Sequence, residues 1–161
     1  MKALTDYIHG KGLKAGIYTS PGPTTCAGHV GAYQHEELDV RRFVEWGFDF
    51  LKHDWCSYGN LGKGNSREEL EKPYRQIAAL LRQQPRDVVL NLCQYGMGNV
   101  WEWGREIGRI AGELLAISGE ASKASARPCS ATALMFMQKT NFIDTGDPER
   151  GTILTTSCWA I

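Results

Sequence analysis

Lys52 and Asp54 stand two positions apart in the run Phe48-Asp49-Phe50-Leu51-Lys52-His53-Asp54, which begins apolar and ends in charge. Side chains alternate along an extended strand, so a spacing of two puts the ammonium and the carboxylate on one face. The cation favours the ionised acid, and an ionised carboxylate can serve as nucleophile or base. The same spacing also suits a plain strand-end ion pair or a loop cap. Tyr18 closes another apolar run, Leu13 to Tyr18, and Gln94 follows a third, Asp87 to Leu92. All four residues fall where a buried strand would give way to a loop.

Cys26 and Cys56 lie in the loops that follow the first two of these runs. A bridge between them would close a loop of about 31 residues, worth about 3.7 kcal/mol in the chain-entropy model. Two reduced thiols fit the spacing equally well. Cys93, Cys129 and Cys158 show no pairing logic, and a total of five leaves at least one unpaired within a single chain. His9, His29, His35 and His53 form no metal pattern. CxxC and HExxH are both absent, so no metal site is expected. No GxGxxG or P-loop supports nucleotide binding, and no cofactor is expected. Trp101 and Trp103 suit either stacking on a sugar or helix packing.

The elements that must position these residues alternate. Helices are expected over 2–11, 36–46, 66–83 and 99–107, and strands over 13–18, 48–54 and 87–92. Gly10, Gly12 and Gly47 stop the first two helices, and Ser66 with Glu69 forms a capping box at the third. Pro73 inside that third helix is expected to delay or bend it. Helices alternating with buried strands mean a parallel sheet with helical crossovers, an α/β fold whose chemistry sits at the strand C-termini. The pattern fails after Gly108. Residues 119–133 are rich in Ser and Ala, 133–137 form a short apolar island, and 152–156 offer one more strand.

Length and composition bound the rest. The chain has 161 residues, 42% hydrophobic and 22% charged, with 18 basic and 18 acidic side chains. This is an ordinary globular composition with no basic excess for nucleic acid, so no nucleic-acid partner is expected. No apolar run is long enough to cross a membrane. No signal-peptide core follows Met1. A complete (β/α)8 barrel needs about 200–250 residues, so this length holds about half of one.

Three stretches then carry a resemblance. Gly12-Leu13-Lys14-Ala15-Gly16-Ile17-Tyr18-Thr19, Thr25-Cys26-Ala27-Gly28 and Leu51-Lys52-His53-Asp54-Trp55-Cys56 occur in order with suitable gaps. Together they resemble the family 27 glycoside hydrolases, the α-galactosidase and α-N-acetylgalactosaminidase group, over residues 1–108. The resemblance implies part of a (β/α)8 barrel, about its strands 3 to 5, carrying a retaining exo-glycosidase for α-galactosides. It makes Asp54 the nucleophile, puts Lys52 against sugar hydroxyls and Tyr18 in the lining of the same pocket, counts Cys26 among the substrate-binding residues, and pairs Cys26 with Cys56 in a disulfide. It makes Gln94, where the family commonly has Glu, the reader of the sugar substituent. A secreted, periplasmic or lysosomal location is implied as well.

Retaining hydrolysis also needs a protonated second carboxyl about 5–5.5 Å from the nucleophile. The family motif for it, Gly-Asn-Xaa-Trp-Arg followed by Gly-Asp, is expected soon after residue 108 and is absent. Gly112-Glu113-Leu114-Leu115-Ala116 back-translates so that reading one nucleotide later yields Gly-Asn-Cys-Trp-Arg. The expectation is a divergent tail over 109–161 produced by a frameshift, and little activity from this chain alone. The alternatives are a non-catalytic carbohydrate-binding half-barrel and a glycosidase for another α-linked sugar.

Overall fold

The computed structural model describes residues 1–62, 66–111, 115–118 and 153–155. Its elements in order are α1 (Lys2–Gly10), β1 (Gly16–Thr19), α2 (Glu36–Trp46), β2 (Phe50–Asp54), a 3-10 turn (Tyr58–Leu61), α3 (Arg67–Arg82), β3 (Val89–Cys93), α4 (Val100–Ala111), β4 (Leu115–Ser118) and β5 (Ile153–Thr155). The strands form one parallel sheet in the order β1-β2-β3-β4-β5. The four helices and three strands expected up to residue 108 are all present, as is the strand expected near 152–156.

The strand β4 is a correction. The sequence pattern suggests no strand between residue 108 and residue 152, yet Leu115–Ser118 pairs with β3, Leu90 opposite Leu115 and Cys93 opposite Ser118. Four residues are too few to display a period, and sheet pairing decides their state. The apolar island at 133–137 lies outside the described residues.

Local chemistry explains the helix boundaries. Gly47 ends α2 in the left-handed region at φ 88°, donating to Val44, while Phe48 donates to Phe43. The Ser66 hydroxyl accepts from the Glu69 amide and starts α3. Arg67–Arg82 then runs as one helix through Pro73, so the expected delay or bend does not interrupt it.

Leu51, Leu90 and Leu92 from the sheet are fully buried with Tyr74, Ile77 and Ala78 of α3, Trp103 and Ile107 of α4, and Val40 of α2. His53 shares this layer, its ring edge-on to Tyr74 at 5.5 Å. Alternation along β2 thus commits Leu51 and His53 to the helices and Lys52 and Asp54 to the opposite face. The other end of β2 is pinned by Asp49. Its carboxylate accepts from the Ala15 amide (2.9 Å), contacts His9 Nε2 (2.7 Å) and Lys14 Nζ (3.3 Å), and pairs with Arg86. Its backbone bonds both Ala15 and Val89. Burial would raise the Asp49 pKa, but the Ala15 amide, His9, Arg86 and Lys14 outweigh it and hold it below the usual range.

Neither ring nitrogen of His53 has a hydrogen-bond partner among the described residues, and burial lowers its pKa to about 3. Below pH ~6.5 the unfolded chain therefore takes up a proton that the folded chain refuses. The stability conferred by the neutral ring is complete above that pH and declines as pH falls toward about 3. The unfolding free energy from urea titrations should fall between pH 7 and pH 4.5, by up to about 1.4 kcal/mol per pH unit from this group. His53→Leu should remove that part of the slope, and an unchanged slope would assign the titration to another residue.

Candidate active site

Asp54 ends β2 and is 5% exposed. Its Oδ1 accepts from the backbone amide of Trp55 (2.8 Å) and from the Tyr95 hydroxyl (3.0 Å). Its Oδ2 accepts from the Tyr18 hydroxyl (3.0 Å). Tyr18 arrives from the neighbouring strand, where it pairs in register with Lys52. The Lys52 ammonium lies 5.7 Å from the centre of the Tyr18 ring. Cys93, opposite Asp54 across the β2–β3 ladder, is the free cysteine among the described residues.

The carboxylate orders the titration of its neighbours. Burial first, and then the negative charge of Asp54, raise the phenol pKa values of both Tyr18 and Tyr95 well above the usual range. Both hydroxyls therefore stay protonated and act as donors. Burial followed by the Asp54 charge pushes the Cys93 thiol up to about 11, so it is neutral near pH 7 and a poor nucleophile.

Cys26 and Cys56 are disulfide-bonded, with Cα atoms 5.1 Å apart. The bridge carries the loop after β1 onto the loop after β2. Cys56 Sγ lies 3.3 Å from the Tyr18 hydroxyl, and Cys26 Sγ lies 4.0 Å from that of Tyr95. Glycine makes this docking close: a Cβ on Gly31 would run into the Gly22 carbonyl, and one on Gly22 into Ser57, Cys56 and Tyr58. The Ser57 hydroxyl clamps the junction by accepting from the Thr24 amide (3.0 Å) and donating to the Thr24 carbonyl (2.8 Å). One ligand atom each from Cys26, Asp54 and Cys56 lies within 4.8 Å of the others, but both sulfurs are committed to the bridge, so no thiolate is left for a metal.

The structure thus brings together Asp54, Lys52, Tyr18, Cys26 and Cys56. Gln94 stands one residue beyond β3, buried, with neither amide atom hydrogen-bonded among the described residues. Trp103 is buried and donates to the Gly98 carbonyl (2.8 Å), which settles it as helix packing, while Trp101 is exposed. Tyr95 is the site residue that sequence reasoning missed. An aromatic directly past a strand end, followed by Gly96, was the available signal. A separate open cleft of about 450 Å³ lies at the start of α3, lined by Ser66, Arg67, Glu68, Glu71 and Arg75. Its two arginines are already paired with Glu71.

The sequence model of the Melibiase_2 family, alpha galactosidase A, matches residues 1–105. The chain belongs to this family. Alpha-galactosidase A of Cellvibrio japonicus is 36% identical over 108 residues, 67% of this chain and 25% of that protein. A probable alpha-galactosidase of Dictyostelium discoideum is 38% identical over 108 residues, 67% of this chain and 26% of that protein. Among solved structures, alpha-galactosidase I from Mortierella vinacea superposes with a TM-score of 0.65 at 32% identity, covering 73% of this chain and 28% of its own. The chain spans about a quarter of the length of the curated relatives it matches. The family places its parallel β/α alternation as part of a (β/α)8 barrel, and the resemblance read from the sequence and the Cys26–Cys56 pairing it implied are both borne out.

The disulfide ties the loop after β1 to the end of β2. Replacing both Cys26 and Cys56 by Ala should cost about 3 kcal/mol in urea unfolding under non-reducing conditions. A loss under about 0.5 kcal/mol would mean that the Gly22–Gly31 packing and the Ser57 clamp hold the loop without the bridge.

Proposed function

We propose that this chain carries the nucleophile side of a retaining glycoside hydrolase site for terminal α-galactosides. The observation that carries this reading is Asp54 at the C-terminal end of a buried parallel strand, with both oxygens hydrogen-bonded by protonated phenols. In a parallel α/β barrel such strand ends are where catalytic groups sit. The carboxylate attacks the anomeric carbon, a C–O bond forms, and the bond to the leaving group breaks with its electron pair.

Supporting roles follow from position. Lys52 lies on the Asp54 face of β2 and meets a sugar hydroxyl as a donor. Tyr18 orients Asp54 and lines the pocket wall, and the Cys26–Cys56 bridge forms its rim. The Gln94 amide, buried and unpaired among the described residues, reads a hydroxyl of the sugar. No residue is assigned as acid/base. Residues 109–161 are read as a divergent tail of frameshift origin. The end of the family match at residue 105 supports that reading, and DNA in which neither other frame continues the family would overturn it. The disulfide favours an exported or lysosomal setting, where thiols are oxidised.

A leaving group that departs without a proton separates the nucleophile from the missing acid. The purified chain should cleave α-galactosyl fluoride slowly, and Asp54→Asn should lower that rate by at least about 100-fold. Methyl α-galactoside, which needs acid assistance, should remain intact. Equal fluoride cleavage by the Asn variant would remove Asp54 from the role. Rapid methanol release would show that the chain holds an acid/base after all.

A further inference from the structure

We infer that Tyr95 is a gate on Asp54, a positioning residue whose hydroxyl must leave Oδ1 before an electrophile can reach that oxygen. The inference deepens the reading of Asp54 as a nucleophile and rests on it. An attacking carboxylate needs a free lone pair and an open approach. Oδ1 has neither: the Trp55 amide and the Tyr95 hydroxyl occupy its two acceptor positions. Oδ2 holds Tyr18, with the buried Cys93 thiol beside the carboxylate. At 5% exposure Asp54 offers almost no surface.

The holders of Asp54 differ in how readily they can move. The Trp55 amide is backbone directly after β2. Tyr18 is on β1, in register with Lys52 and in contact with the disulfide. Cys93 is buried in β3. Cys26, exposed at the rim, is tethered to Cys56. Among the described residues that hydrogen-bond the carboxylate, Tyr95 alone has an exposed side chain, 57% open to solvent, and it belongs to no helix or strand.

Its backbone is also poised. Tyr95 sits at φ 62°, a region bulky L-residues rarely adopt, within a segment where Gly96, Gly98 and Asn99 share positive φ. Such a conformation persists while something holds it. The bond to Asp54 is the hydrogen bond that its side-chain hydroxyl donates. A galactoside entering over Asp54 would supply its own hydroxyls near the carboxylate as the phenol swings outward. The gate thus keeps the carboxylate covered until a polar ligand replaces the phenol.

The test is the rate at which Asp54 is alkylated by two probes, a galactose-configured cyclitol epoxide and the plain epoxide glycidol. Attack opens the ring, forms an ester at Asp54 and leaves an alkoxide that takes a proton from water. Peptide mass mapping counts the product. Tyr95→Phe keeps the ring and removes the hydrogen bond, so it should alkylate about three- to tenfold faster than the parent chain with both probes, the size of one lost hydrogen bond. Tyr95→Leu, with intact disulfide checked by mass, should behave alike. A rate unchanged or slower in both variants overturns the gate, whichever probe is preferred. Faster alkylation with no preference for the galactose-configured probe supports the gate and instead removes the galactoside reading.

Discussion

Strand β2 is five residues long and is held between two carboxylates, and the site depends on both. At its start, Asp49 gathers the Ala15 amide, His9, Lys14 and Arg86. Its backbone links to Ala15 before β1 and to Val89 at the start of β3. That fixes the register of three strands from one end. Phe50 then stands between Gly16 and Val89, and Lys52 between Tyr18 and Asn91. Because the side-chain period is two, slipping by one residue would turn Lys52 and Asp54 into the helix layer. The buried Leu51 and His53, and the leucines of β3, oppose that slip through the apolar area they remove from water.

At the far end, Asp54 meets groups delivered by three separate stretches of chain: Tyr18 from β1, Trp55 from its own strand end, and Tyr95 from the turn after β3. The disulfide brings the loop after β1 to the same place. A charged group so little exposed is tolerable only when it is well hydrogen-bonded. Here the donors are neutral phenols and an amide, with Lys52 nearby on the same face. The arrangement suits a carboxylate that must stay charged and directed without being neutralised by a close ion pair.

Much of this was legible in the sequence, for identifiable reasons. Helices α2 and α3 carry their own boundaries, Gly47 at the end of one and Ser66 with Glu69 at the start of the other. Strands β1 to β3 read as short apolar runs ending in polar residues, and the Lys52–Asp54 spacing put both on one face. Other features depend on contacts between distant segments. Asp49 reads as an interruption in an apolar run until His9, Lys14 and Arg86 converge on it. Tyr95 becomes a site residue only because the left-handed turn brings its hydroxyl to Asp54. The four residues of β4 owe their state to β3 alongside them. His53 shows the opposite case, a polar residue whose place beside Tyr74 in the helix layer follows from simple alternation.

Asp54 is the carboxylate proposed to form the bond to an anomeric carbon once Tyr95 has moved aside. Incubating the chain with 2-deoxy-2-fluoro-α-galactosyl fluoride and mapping the digest by mass spectrometry tests that role most directly. The sugar fluorine at C2 slows breakdown of the ester, while the anomeric fluoride leaves without acid help. One sugar adduct is expected, on the peptide containing Asp54, formed slowly and blocked by excess galactose. An adduct on another carboxylate, or none while the Cys26–Cys56 bridge is intact, would contradict that role.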